Sequence, residues 1–131
     1  MGDFEQKDIQ KLPGFVNYDE GYTLDQALAS VGKGWSDLIR RIFSKKPKHV
    51  KITQVKEKFG GLRVYASGMI SPRYFNLLNE VEQESCIVCE WCGNPGTLDN
   101  RYWWMLTLCD SCKVERKALM DEKDINERVS G

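Results

Sequence analysis

The sequence predicts an α+β protein in which helices pack on a β-hairpin and a small cysteine-rich unit follows. Three observations support this fold class. Apolar residues repeat at helical spacing over positions 35–43, strand-forming residues flank Gly60-Gly61, and four cysteines occur as two pairs near the C-terminal end. Helical and strand periodicities that occupy separate parts of one short chain are typical of an α+β arrangement.

Length and composition place the chain in the class of small folded proteins. It has 131 residues, of which 41% are hydrophobic and 29% charged, and its formal net charge is zero. A disordered chain would contain fewer apolar residues and more charge of one sign. No apolar run approaches the roughly 20 residues of a membrane-spanning helix, and the N-terminus lacks the features of a secretory signal. We therefore expect a cytoplasmic protein without a membrane segment.

Residues 1–22 are predicted to form an irregular N-terminal arm, because proline and glycine interrupt the apolar pattern there. An α+β body is predicted over residues 23–86, and it starts with a helix, since Thr23 and Gln26 have the spacing of a capping box. Glycine at positions 32 and 34 ends this helix, because glycine carries an entropy cost in helical structure.

A second helix and a β-hairpin are predicted next. One apolar stripe covers two helical turns over residues 35–43, and the following Lys-Pro sequence ends that helix. Strand-forming residues over 49–66 surround Gly60-Gly61, which can adopt the positive φ angles of a tight turn. The apolar Phe59 beside the turn predicts a bulge or a longer hairpin loop.

A third helix is predicted to begin at Ser71-Pro72, with serine as N-cap and proline at the first helical position. It should end at about Ser85 or Cys86. Its expected buried face is Tyr74, Leu77, Leu78 and Val81, and its expected exposed acids are Glu80, Glu82 and Glu84.

Two CxxC pairs, Cys89 with Cys92 and Cys109 with Cys112, are separated by sixteen residues. This spacing is typical of a four-cysteine zinc site, because each tight turn aims two thiolates at one ion and the spacer brings the turns together. Arg101–Leu108 is expected to be the returning strand. We predict a zinc-ribbon-like unit over residues 87–120 that holds a structural Zn²⁺, since four thiolates leave no open position for catalysis.

Alternatives to this zinc site remain open from the cysteines alone. The pairs could be redox-active dithiols, or they could hold an iron–sulfur cluster. Cys86 also forms an overlapping CxxC with Cys89 and could replace a ligand. The glycine after Cys92 suits a metal-binding turn, so Cys86 is predicted to be a buried small residue of the third helix.

A last helix is predicted to begin near Asp110 and to end near residue 120, before a polar tail at 121–131. Its expected apolar residues are Val114, Leu119 and Met120, and its expected outward residues are Lys113, Glu115, Arg116 and Lys117.

Catalytic patterns are missing from the sequence. His49 is the single histidine, so the histidine sets of HNH nucleases are absent, and the zinc deaminase signature and glycine-rich phosphate loops are absent as well. We therefore expect a protein that is not an enzyme.

Charge is unevenly divided along the chain. Residues 31–65 carry a net charge of +8, whereas residues 1–30 and 66–131 carry −4 each. The central block can therefore form a basic surface, although the favoured interpretation is that solvated charges balance locally after folding. The residues predicted to bind a partner are Arg40, Arg41, Lys45, Lys46, Lys48, Arg101 and Trp103.

Four segments together resemble a known group of proteins. They are Gly34-Trp35, the sequence VKEKFGGLR at 55–63, and cysteine pairs in the form CxxCG and TLCxxC. This combination, over residues 34–113, is similar to small uncharacterised bacterial and phage proteins. The resemblance implies a hairpin followed by a zinc unit and a prokaryotic or phage source, and it implies no particular activity.

Two functions are compatible with these patterns. The first is a non-catalytic protein-binding module, for example a phage-encoded inhibitor or regulator of a host complex such as an anti-CRISPR-like protein, because exposed Trp, Tyr and Arg commonly anchor interfaces. The second is a nucleic-acid-binding zinc-ribbon protein that uses the basic region 40–63. A host or cellular protein is the preferred partner, and the tryptophans could instead pack between the cysteine unit and the body.

Overall fold

The computed structural model describes residues 21–130, with side chains to residue 123. It confirms an α+β fold. The predicted N-terminal arm lies outside the described residues except for its last two positions, and the division into body, zinc unit and tail stays a prediction. The elements in chain order are α1 (Leu24–Ala29), a 3₁₀ turn (Lys33–Trp35), α2 (Ser36–Ser44), β1 (Lys51–Lys58), β2 (Gly61–Ser67), α3 (Pro72–Ser85), β3 (Thr97–Asp99), β4 (Leu106–Leu108) and α4 (Asp110–Ser130).

The core lies between helices α1 to α3 and one face of the hairpin. The stripe predicted for α2 is buried, with Trp35 and Ile39 completely inaccessible to solvent. Ile52, Leu62 and Val81 complete the centre from the hairpin and α3. Burial of these apolar surfaces supplies the main driving force for folding of the body.

The antiparallel hairpin of β1 and β2 has a tighter turn than the sequence predicted. Lys58 pairs with Gly61, so the two turn residues are Phe59 and Gly60, at φ angles of 54° and 78°. Two positive φ angles in a two-residue loop match the right-handed twist of the strands. The prediction that Gly60-Gly61 forms the turn, with a bulge or longer loop at Phe59, was therefore wrong.

An irregularity does occur in β1, between Ile52 and Gln54. The extra residue shifts the alternation of side chains, so that Ile52 and Val55 both face the core. The regular alternation of buried and exposed side chains that is expected of a strand is therefore interrupted within β1.

Helix α3 protects the free edge of β2 with its own side chains. Leu62 N donates to Ser85 Oγ at 2.9 Å, and Val64 N donates to Glu82 Oε2 at 2.8 Å. Glu82 is thus half-buried and bonded, in contrast to the exposed acid that we predicted. The N-cap role of Ser71 is confirmed, since its hydroxyl accepts from Tyr74 N at 3.2 Å.

Cys86 is exposed, so the prediction of a buried residue was wrong. Helix α3 ends at Ser85, which takes the buried position instead. Cys86 caps the helix, with its Sγ 3.7 Å from Glu82 O.

The cysteine-rich end consists of the short antiparallel pair β3 and β4, followed by α4. Residues 101–105 form the connection between the strands, so only the end of the predicted Arg101–Leu108 strand exists. Helix α4 begins at Asp110 as predicted and continues through the predicted polar tail to Ser130.

The buried face of α4 differs from the predicted one. Val114 and Leu119 are exposed, whereas Arg116 is buried. Arg116 pairs with Asp99 and donates to Trp104 O, so an ion pair rather than an apolar stripe anchors the helix.

Within the described residues, no helix has the length and apolar character needed to cross a membrane.

Candidate metal centre

The four cysteines of the two CxxC pairs converge on one point. Their Sγ atoms all lie within 4.8 Å of one another, and Cys92 Sγ lies 3.5 Å from Cys109 Sγ. The first pair is in a turn after α3, and the second spans the start of α4. The cluster found among the described residues does not include Cys86. The first pair of the site is therefore Cys89 with Cys92, and not the overlapping pair Cys86 with Cys89.

Backbone hydrogen bonds shape the first turn. Cys89 N donates to Asn94 O at 2.7 Å, and Gly93 N donates to Cys89 O at 2.9 Å. Gly93 has a φ angle of 87°, a conformation that residues with a Cβ rarely adopt. The glycine that follows Cys92 in the sequence therefore allows the chain to turn back after its second thiol.

The thiols occupy different environments. Cys89 and Cys112 are buried, Cys92 is exposed and Cys109 is intermediate. Burial opposes ionisation of Cys89, but hydrogen bonds from the backbone of Cys109, Cys92 and Trp91 outweigh it and lower its pKa to about 7. Burial, followed by bonds to the neighbouring thiols, raises the pKa of Cys112. A cation at the centre would favour the thiolate form of all four.

The 3₁₀ turn at Lys33–Trp35 contacts the first cysteine turn closely. Gly34 N donates to Glu90 O at 2.8 Å, and Trp35 Nε1 donates to Val88 O at 2.9 Å. A Cβ added at Gly34 would overlap the carbonyl oxygen of Cys89. The glycines that we had interpreted only as helix breakers therefore allow the body to approach the cysteines closely, and no local sequence pattern signals this role.

A second contact joins the hairpin to β4. Thr107 Oγ1 donates to Gly60 O at 2.6 Å, and Thr107 N donates to Glu90 Oε2 at 2.6 Å. Burial, together with nearby Glu57 and Cys89, raises the pKa of Glu90 to about 7, although the Thr107 N–H acts in the opposite direction. These bonds hold the cysteine turn, β4 and the hairpin turn as one packed unit.

Asp99 organises the remaining polar contacts of this end. Arg101 donates to both of its carboxylate oxygens, at 2.7 and 2.9 Å, and Arg116 contacts Oδ2 at 3.2 Å. The hydrogen bond from the Arg101 side chain is the main cause that lowers the pKa of Asp99 to about 2. The guanidinium of Arg101, predicted to bind a partner, is thus already engaged within the protein.

The predicted basic partner residues separate into two groups. Arg41 pairs with Glu84, and Lys46 Nζ donates to Val50 O at 2.7 Å, so both support the fold. Arg40, Lys45 and Lys48 are exposed. The assignment of these residues to a partner surface stays a prediction.

Trp103, the aromatic residue predicted to bind a partner, is 85% exposed. It packs edge-to-face on Trp104, which is 51% exposed and donates its Nε1 to Glu57 Oε1 at 2.7 Å. Phe59 in the hairpin turn is 65% exposed. Together with Trp103 and Trp104 it lines a depression of about 280 Å³. We call Phe59, Trp103 and Trp104 the aromatic cluster.

The single histidine lies away from the cysteines. His49 is exposed, and its Nε2 is 2.6 Å from Met69 O.

Comparison with protein-family models, with curated protein sequences and with solved structures finds no significant match to the chain.

Proposed function

We propose that Cys89, Cys92, Cys109 and Cys112 hold one structural Zn²⁺ and form a zinc-ribbon-like unit. The observation that carries this proposal is the convergence of four Sγ atoms within 4.8 Å. Tetrahedral zinc with Zn–S bonds of about 2.3 Å requires sulfur atoms about 3.8 Å apart. Small side-chain movements bring the thiols to that geometry.

A structural role for the ion fits the small core of this end. Among the residues whose side chains are described, the fully buried members of its apolar cluster are Cys89, Leu108 and Cys112, so thiols make up most of that centre. Four cysteine ligands occupy the whole coordination sphere, which leaves no place for a metal-bound water. Metal binding then contributes directly to the free energy of folding.

The fifth cysteine provides a matched control for the metal test. Freshly purified, reduced wild-type protein and Cys86→Ser should each contain about one zinc per chain. Cys112→Ser should lose most of the metal and unfold at its C-terminal end. Elemental analysis with ultraviolet–visible spectra also tests for iron, because an iron–sulfur cluster absorbs visible light.

Two results would overturn the zinc proposal. One is that freshly purified, reduced wild-type protein contains no metal and has the same fold and thermal stability as Cys112→Ser. The other is equal metal loss in Cys86→Ser and Cys112→Ser.

We further propose that the protein is a non-catalytic binding module whose target is another protein. The aromatic cluster supports this function, because exposed tryptophans that border a depression are typical anchors of protein interfaces. Given the resemblance to bacterial and phage proteins, the proposed setting is the cytoplasm of a prokaryotic cell, with a host complex such as a defence system as the target.

Trp103→Ala tests the protein partner, and Met69→Ala is its control. Met69 is also 85% exposed but lies outside the aromatic cluster. Capture from host lysate, followed by titration of the purified partner, should show binding to wild type and Met69→Ala and at least tenfold weaker binding to Trp103→Ala. Equal binding by all three would contradict the assignment of this cluster.

A further inference from the structure

The outward face of the β1–β2 hairpin carries positive charge that no acid of the described residues pairs with. Strand pairing places Lys56 directly opposite Arg63, and Lys58 lies two residues further along the same face. Val55 and Val64 are paired on the opposite face, which is buried in the core. Among the described residues, no carboxylate lies within ion-pair distance of these three cations.

This arrangement has an energetic cost in the free protein. Like charges directly opposite each other on neighbouring strands repel and destabilise a hairpin. Within the described part of the chain, the Arg63 side chain donates to the carbonyl of Leu62, at 3.2 Å, and to no carboxylate. A bound polyanion would remove this repulsion, because its negative charges complement the positive charges of the hairpin face.

An exposed aromatic ring lies among the cations. Tyr65 is 45% exposed and pairs with Gln54 on the same outward face. Lys56 Nζ lies 5.6 Å from the centre of the Tyr65 ring. Cations that bind phosphates next to a ring that stacks on a base are the combination found in proteins that bind single strands.

We propose that the outward face of the hairpin, made of Lys56, Lys58, Arg63 and Tyr65, binds single-stranded nucleic acid. The three cations contact successive phosphates, and Tyr65 stacks on an unpaired base. At one end this surface adjoins the aromatic cluster, since Lys58 Nζ lies 5.6 Å from the centre of the Phe59 ring and Lys58 lines the same depression as that cluster. The inference rests on the three cations and Tyr65, so it does not depend on the proposed protein partner. Its cations lie within the basic region 40–63 that the sequence suggested for nucleic acid, but the inference assigns binding to the hairpin and not to Arg40, Lys45 and Lys48.

The test is fluorescence anisotropy with labelled oligothymidylate and oligouridylate of about 15 nucleotides, which compares DNA with RNA, and with a duplex of equal length. Three cation contacts predict a slope of about −2 for log K against log salt concentration. The triple variant Lys56→Gln/Lys58→Gln/Arg63→Gln should bring this slope close to zero and weaken binding on the order of 100-fold at about 50 mM salt.

A matched control removes the same charge elsewhere. Lys33→Gln/Arg73→Gln/Lys123→Gln replaces three exposed cations outside the hairpin and should keep the slope within about 0.5. Tyr65→Thr keeps strand propensity and should weaken single-strand binding roughly 5-fold or more without changing the slope. Thermal unfolding and zinc content establish that each variant is folded.

Several results would overturn the proposal. They are no binding at low salt, equal losses in the two triple variants, or a loss carried instead by Arg40→Gln/Lys45→Gln/Lys48→Gln. Duplex binding as tight as single-strand binding, with no effect of Tyr65→Thr, would contradict stacking. Polyglutamate that binds as tightly as the oligonucleotides, with the same dependence on the hairpin variants, would indicate an acidic protein as the occupant.

Discussion

Phe59 combines an unfavourable backbone conformation with an exposed ring. Its φ angle of 54° is one that asparagine adopts far more readily than phenylalanine. Phe59→Asn creates an Asn-Gly turn of the kind preferred in two-residue hairpins, so we expect the free energy of unfolding to stay equal or rise by about 1 kcal/mol. The same change removes one ring of the aromatic cluster and should weaken binding of the proposed protein partner. Denaturant unfolding and partner titration measure the two effects, and a destabilised variant would contradict the first.

Gly34 tests how closely the body must approach the cysteines. A Cβ at this position meets the backbone of Cys89 and Glu90, which cannot move without distorting the metal turn. We expect Gly34→Ala to lower the free energy of unfolding by about 1–3 kcal/mol and to weaken zinc binding in a chelator competition. Lys33→Ala, at an exposed neighbouring position, is the control and should change stability by less than about 0.5 kcal/mol.

Secondary-structure elements that depend on neighbouring residues were predictable, whereas contacts between elements were not. The capping box of Thr23 and Gln26 and the paired cysteines need only residues a few positions apart, and their local patterns identify them. The bond from Val64 to Glu82 and the burial of Arg116 against Asp99 join residues 17 to 18 positions apart. No periodicity marks such pairs, and for that reason Glu82 of α3 and Arg116 of α4 were incorrectly predicted to be exposed.

The edge of β2 gives a prediction at the scale of elements. Glu82→Ala leaves Val64 N without its partner and should lower the free energy of unfolding by about 1–3 kcal/mol. Glu80→Ala changes an exposed acid on the same helix and should have an effect below about 0.5 kcal/mol. Urea denaturation distinguishes them, and equal effects would mean that the carboxylate does not protect the strand edge.

At the scale of the whole molecule, the metal and the body should be thermodynamically coupled. The cysteine turn, β4 and the hairpin turn share hydrogen bonds through Glu90, Thr107 and Gly60. Removal of the proposed zinc with a strong chelator should therefore expose amides of β3, β4 and the first turns of α4 to hydrogen exchange, and it should also increase exchange at the hairpin turn. Readdition of zinc should restore protection. Increased exchange confined to α4 would contradict the coupling.

The contacts of Gly34 and Trp35 with the first cysteine turn affect the order of events during synthesis. Both residues precede Cys89 in the chain, so the surface that receives this turn can form before the second cysteine pair leaves the ribosome. At about 5–20 residues per second, the sixteen residues between the pairs take about 1–3 s to translate. During that interval the nascent chain would present two thiols on a folded base, and the proposed ion could be enclosed only after Cys109 and Cys112 emerge.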